Sequence, residues 1–246
     1  MTLNNLIQKQ KVIRTYRSKK TSEEFDIKRS EFEYQEYKHK FESFLLKKII
    51  GSFNNNKLKI LDVGCGTGRM LTEIFSSGKV SGYVGLDTSK GMTSQLLKKS
   101  RMMGISKKVK IKIEDAEKIP FKENAFDLVF SYHLLWHLPR SIQVNIIKEM
   151  LRVCKNNGVI LFDIINEDFL WNRIKFLFSI KRDEEIYRIS FNEIRGALDG
   201  REISSEKLFD PIIRNRILYK IFYRVNSIRK FLPESFFHMI YISVKK

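Results

Sequence analysis

Through the middle of the chain, short apolar runs alternate with stretches in which apolar residues return every three or four positions. The runs near 58–62, 82–86, 109–113, 127–131 and 158–163 have the length of buried strands. The stretches near 67–77, 89–103 and 140–153 have the period of helices. Such alternation predicts a parallel sheet with helices on both faces. The ligand crevice of such a sheet lies beyond the carboxyl ends of its strands, where Asp62, Asp87, Asp115 and Ser131 all fall.

The flanks follow other patterns. Residues 1–57 are predicted to be a helical lead-in or lid: Ser30 is a plausible N-cap, and Tyr34, Tyr37, Phe41, Phe44 and Leu45 recur at helical spacing toward Ile49 before Gly51 and a turn at 54–56. Residues 58–163 form the α/β core. Residues 164–246 open with an aromatic, basic stretch (Phe169, Trp171, Phe176, Phe178) and continue with a helix near 191–198 and a strand near 203–209. Residues 211–232 then place Ile213, Ile217, Ile221, Val225 and Ile228 on one helical stripe among Arg214, Arg216, Lys220, Arg224, Arg229 and Lys230. That pattern predicts a cap helix packing its apolar stripe on the core with Lys and Arg in water, or else a surface for an anionic partner. Alternation over 236–245 predicts a last strand.

The first strand ends in LDVGCGTGR. Asp62 is followed by Gly64, Gly66 and Gly68, so a strand runs into a tight turn whose backbone can approach a ligand before a helix starts. A dinucleotide site wants G-x-G-x-x-G, whereas here the third glycine arrives one residue early, and no P-loop lysine and hydroxyl follow. Asp87 closes the next strand, placed as a ribose-binding acid would be.

At these residues the chain resembles the class I S-adenosylmethionine-dependent methyltransferases. Residues 113–121 (IEDAEKIPF) are similar to that family's third-strand motif, 126–131 (FDLVFS) to its fourth strand, and 151–161 (LRVCKNNGVIL) to the turn into its fifth. The resemblance covers roughly 58–163. It implies a Rossmann-like, doubly wound, seven-stranded sheet whose last strand is antiparallel, and S-adenosylmethionine as cofactor. It further implies a cofactor site built from Asp62, Gly64, Gly66, Gly68, Asp87, Met92, Asp115, Ala116 and Ser131, with Asp115 meeting the adenine amino group.

Composition narrows the setting. The 246 residues suffice for one domain with an elaborated cap. No apolar stretch has the length of a membrane span and the first residues lack a signal core, so a cytoplasmic location is expected. Cys65 and Cys154 make neither a disulfide framework nor a metal set, and no metal is expected. The net charge of +18 is divided as +6, +7 and +5 among residues 1–57, 58–163 and 164–246. An excess spread so evenly is a non-specific attraction for RNA or an anionic membrane rather than a dedicated basic stripe.

Methyl transfer asks mainly for alignment, and for a base when the acceptor is a hydroxyl or an ammonium. His133 and His137, in SYHLLWHLP after the fourth strand, are the candidates for that base. The same segment lacks the acid or amide followed by two prolines that marks methylation of exocyclic base amines in the family. The resemblance therefore implies a small-molecule acceptor, of metabolite, lipid, quinone or sugar type. Two alternatives stay open: an RNA (tRNA) methyltransferase using the basic surface, and a non-catalytic cofactor-binding scaffold of a methyltransferase complex.

Overall fold

The computed structural model describes residues 3–17, 24, 33–170, 186–208 and 233–246. Ser30, Trp171, Phe176, Phe178 and the basic segment 211–232 lie outside the described residues.

The described chain contains helices α1 (Leu3–Arg17) and α2 (Glu33–Ser52), then β1 (Leu58–Val63), α3 (Leu71–Ser76), β2 (Val80–Leu86), α4 (Lys90–Met102), β3 (Val109–Lys112) and β4 (Phe126–Ser131). It continues with α5 (Arg140–Val153), β5 (Cys154–Ile165), α6 (Phe191–Ala197), β6 (Ile203–Leu208) and β7 (Met239–Lys245). The strands form one seven-stranded sheet in the order β3-β2-β1-β4-β5-β7-β6. All neighbours are parallel except β7, which runs antiparallel to both β5 and β6. This is the doubly wound sheet with an antiparallel last strand that the sequence predicts. Chain order reverses between β1 and β4, and connections leaving that point in opposite directions open a crevice at the strand ends.

Local chemistry explains the helices beside the crevice. Ser89 caps α4 by accepting the Met92 N–H, and Lys99 and Arg101 lie at the negative end of its dipole. Pro139 starts α5, and Ile142, Ile146, Ile147, Met150 and Leu151 are buried along one side of it. Ser190 and Glu193 form a reciprocal capping box on α6.

Two apolar cores sandwich the sheet. One joins α5 and α6 to Phe162, Ile164, Ile240 and Ile242; the other joins α2, α3 and α4 to Ile60, Leu128, Phe130 and Tyr241. The sequence's lead-in helix is therefore a layer of the core, with Phe41, Leu45, Leu46 and Ile50 buried from α2.

Several local expectations need correction. Phe44 shares the predicted stripe yet is 56% exposed, because the buried face runs through Phe41 and Leu45 and leaves Phe44 on its outer side. The helix expected from residue 67 begins only at Leu71, since positive φ at Gly66 and Gly68 keeps the turn open until then. The fifth strand opens at Cys154, where the Phe126 pairing begins, rather than near 158. In β7 both sets of alternating residues are buried, because the strand lies between β5 and β6 with a core on each face.

Candidate active site

A cavity of about 560 Å³ lies where β1, β2 and β4 end, within the range of small-molecule and cofactor sites. Gly64, Cys65, Gly66, Thr67, Arg69 and Met70 line it from the glycine turn. Gly64 and Cys65 both donate their N–H to the Leu86 carbonyl, at 2.7 and 3.1 Å, which fastens the turn to the end of β2. Gly64 and Gly66 have φ of +75° and +51°, a region that glycine enters without steric cost. An added Cβ at Gly64 would lie 3.0 Å from Leu134, whereas one at Gly66 would meet nothing within 4 Å. The space beside Gly66 is open for a ligand.

Two carboxylates flank this turn. Asp87 accepts the Gly66 N–H at 2.9 Å and the Ser89 N–H at 2.8 Å, so its head is fixed by backbone from two elements. Burial raises its pKa, against the pull of those backbone donors and that of Thr88. Asp62 accepts the Tyr83 hydroxyl at 2.7 Å. Burial, tempered by that bond and reinforced by the charge of Asp87, pushes Asp62 up to about 7. Met92 and Ala116 are buried and line the same cavity, and Asp115 stands at its edge.

Gly68 and Ser131 do not line the cavity. A Cβ at Gly68 would lie 2.6 Å from Leu96 and 2.9 Å from Leu71, so this glycine allows α3 and α4 to pack. Ser131 is fully buried and donates to the Val63 carbonyl at 2.8 Å, tying β4 to β1. Seven of the nine expected cofactor residues thus converge on one wall, and these two support it from behind.

The facing wall comes from the N-terminal region. Lys9, Val12, Ile13 and Tyr16 of α1 line the cavity. Lys9 pairs with both Asp115 and Glu117. The Tyr16 hydroxyl lies 3.2 Å from His137 Nε2, and the Tyr16 carbonyl accepts the Ser89 hydroxyl at 2.7 Å. Helix α1 is thereby fastened to three of the loops that follow the strands.

Beside the cavity lies a buried charge network for which the sequence gives no signal. Glu42 of α2, completely buried, accepts from Arg69, from His133 Nε2 at 2.7 Å and from the Tyr241 hydroxyl at 2.8 Å. Burial opposes its ionisation, but His133 and the Arg69 guanidinium overcome this and hold the carboxyl well below its usual range. Asp163 of β5 accepts the His133 N–H at 2.8 Å and the Trp136 indole N–H at 3.3 Å. Burial pushes Asp163 up to about 6. Glu42, His133 and Asp163 bring their ligand atoms within 4.8 Å of one another, the spacing of a metal site. Their carboxylate oxygens, however, are engaged by protein donors: the side chains of Arg69, His133 and Trp136 and the His133 backbone N–H.

Both expected histidines reach the cavity, and they differ in surroundings. His137 lies against the Trp136 ring, with centroids 3.9 Å apart, and meets α1 through Tyr16. His133 is held between α2 and β5.

A strand-ended glycine turn, a carboxylate closing the second strand and a cavity at the reversal of strand order define a nucleotide-binding α/β protein of the Rossmann-like class. Comparison with known proteins shows what the chain is similar to. Residues 61–162 match the family described as a methyltransferase domain. Over 110 residues the chain is 34% identical to the malonyl-[acyl-carrier protein] O-methyltransferase of Legionella pneumophila, a match covering 45% of this chain and 37% of that protein. It is 27% identical over 210 residues to an uncharacterized protein of Methanocaldococcus jannaschii, covering 83% of this chain and 71% of the other. The magnesium protoporphyrin IX methyltransferase of Synechocystis, crystallised with bound SAH, shares the fold with a TM-score of 0.62 at 13% identity, covering 86% of this chain and 84% of that one. Residues 61–162 are thus similar to a methyltransferase domain, and the chain spans less than half the length of the curated methyltransferase that it matches there.

Proposed function

We propose that the protein transfers a methyl group from S-adenosylmethionine to a small-molecule acceptor by in-line displacement. The observation that carries this reading is the single cavity joining the open glycine turn and two strand-end carboxylates to an aromatic, histidine-bearing pocket under a helical lid.

The residues present fit the cofactor. The open space beside Gly66 allows a ligand to lie against the turn. Asp62, buried near Asp87, gains from any cationic group brought close to it, which suits the ammonium of the methionine part. Asp87, fixed by Gly66 and Ser89, retains lone pairs for the ribose hydroxyls. Met92 and Ala116 would supply apolar contact for adenine, and Asp115 would accept from its amino group. When bound, the cofactor supplies a methyl carbon made electrophilic by its sulfonium.

The remaining chemistry is positional. Tyr16, Tyr132, Trp136 and Leu138 give the acceptor end apolar walls, and α1 lines one side of the crevice, which narrows the access of water to it. His133 and His137, which both line the cavity, are the residues proposed to take a proton leaving a hydroxyl or ammonium acceptor. The apolar lining favours an amphipathic small molecule over a polyanion. Among the described residues no helix is long and apolar enough to cross a membrane.

Calorimetric titration with S-adenosylmethionine and S-adenosylhomocysteine tests the reading. Saturable binding is expected, weakened by about 10- to 100-fold in Asp87→Ala, the loss of one or two charge-assisted hydrogen bonds. A folded wild-type protein that binds neither ligand overturns it.

A further inference from the structure

His133 is held by more of the protein than a wall residue requires. Its φ is +62°, a left-handed conformation that is strained for a histidine. Such strain persists where the surroundings over-determine it, and this happens most often at functional sites. Here its backbone N–H is taken by Asp163 of β5, its Nε2 lies 2.7 Å from Glu42 Oε1, and its Nδ1 lies 3.2 Å from Lys38 Nζ. Lys38 and Glu42 are four residues apart on α2, so one helix addresses both ring nitrogens.

These partners fix the tautomer. An ionised carboxylate only accepts, so the Nε2 facing Glu42 carries the proton; an ammonium only donates, so the Nδ1 facing Lys38 presents its lone pair. His133 is then a neutral imidazole with its basic nitrogen on the side of Lys38, and both residues line the cavity.

We propose that Glu42 is a positioning residue that holds His133 in the Nε2–H tautomer, making Nδ1 the base for the acceptor, with Lys38 Nζ marking where the acceptor's X–H sits. This inference rests on the methyltransferase reading. In the step, the acceptor's lone pair forms the bond to the methyl carbon, and the carbon–sulfur bond breaks with its electrons passing to sulfur, which becomes a neutral sulfide. The proton of X–H passes to Nδ1. The resulting imidazolium is stabilised through Nε2–H by Glu42, whose charge is in turn held by Arg69 and the Tyr241 hydroxyl. Among the described residues Asp163 from β5 and Lys38 from α2 also lie beside His133, and the Tyr132 hydroxyl bonds to the Glu42 carbonyl.

The test needs no acceptor. The chain has four histidines, so long-range 1H–15N spectra of the full-length, 15N-labelled protein can be assigned with His133→Asn. The wild type is expected to show His133 protonated at Nε2 and unprotonated at Nδ1 near pH 8. Glu42→Gln is expected to lower the midpoint of His133 titration by about one pH unit, tenfold in proton affinity, and to mix the tautomers. A wild-type His133 protonated at Nδ1 overturns the proposal even if Glu42→Gln fails to fold. So does a folded Glu42→Gln with tautomer and midpoint unchanged. S-adenosylmethionine titrated into the same wild-type sample separates the two readings: failure to bind overturns the cofactor assignment, whereas the spectra alone decide the role of Glu42.

Discussion

The Tyr83 hydroxyl donates to Asp62 Oδ2 at 2.7 Å, with both residues buried on adjacent strands. One neutral hydrogen bond does not offset the loss of water around a carboxylate, so Asp62 is pushed up to about 7, by burial first and by the charge of Asp87 as well.

That relationship predicts a pH dependence with a definite sign. Between the unfolded carboxyl pKa near 3.8 and about 7 the folded state keeps a proton that the unfolded state has lost. The Asp62 contribution to stability is therefore complete below the lower value and falls as pH rises to the upper one, by about 4 kcal/mol in all. Asp62→Asn is expected to flatten this part of the stability–pH curve in denaturant titrations. Binding of a cation beside Asp62 expels its proton, so affinity for S-adenosylmethionine should rise with pH through about 7. Calorimetry at pH 6.5 in buffers of different ionisation enthalpy should register proton release, and Asp62→Asn should abolish it.

The lid should behave as an ion-pair latch. Lys9 has a raised pKa because its hydrogen bonds and charge contacts with Asp115 and Glu117 outweigh the burial that would lower it. Lys9→Met is expected to speed release of S-adenosylhomocysteine by roughly 3- to 10-fold, the scale of a part-exposed pair worth about 1 kcal/mol. Stopped-flow displacement should show this, along with a release rate in the wild type that rises with salt. Tyr16→Phe keeps the ring and removes the hydroxyl that meets His137, and it should add a smaller acceleration.

The two open-turn glycines should fail in different ways. Both occupy left-handed backbone, where any alanine costs about 1–2 kcal/mol. Gly64→Ala also presses on Leu134, 3.0 Å from the new methyl, and should lower the melting temperature more. Gly66→Ala places its methyl in open space beside the cavity and should lose more cofactor affinity than stability. Thermal melts and titrations on the pair check the contrast.

Ser131 should prove structural. Ser131→Ala leaves the Val63 carbonyl without its side-chain donor in a dry interior, and is expected to cost about 1–3 kcal/mol in chemical denaturation. Cofactor affinity should be unchanged, since the residue lies behind the cavity wall.

Much of the fold was legible because its signals are local. The period of apolar residues places the core strands to within a few residues, and the run from Asp62 to Gly68 forces a turn whatever surrounds it, since the positive φ at its glycines is a property of the backbone. Asp87 could be read from its place at a strand end, whereas Met92, Asp115 and Ala116 were implied by the resemblance to the methyltransferase family. Strand register was less legible where pairing partners decide it, as at Cys154, which joins β5 only because Phe126 lies beside it.

By itself, then, the sequence determined the α/β class, the glycine turn and the acids beside it, because hydrophobic period and backbone sterics act within a few residues. Only the tertiary structure decided which surface each side chain meets. It set Gly68 and Ser131 behind the wall rather than in it. It brought Lys9 onto Asp115 from 106 positions earlier in the chain, and Glu42 onto His133 from 91 positions earlier. The physical reason is that a buried carboxylate such as Glu42 is tolerated only where distant donors converge on it, and that convergence comes from the packing of α2 against β4, β5 and β7, which no local pattern encodes.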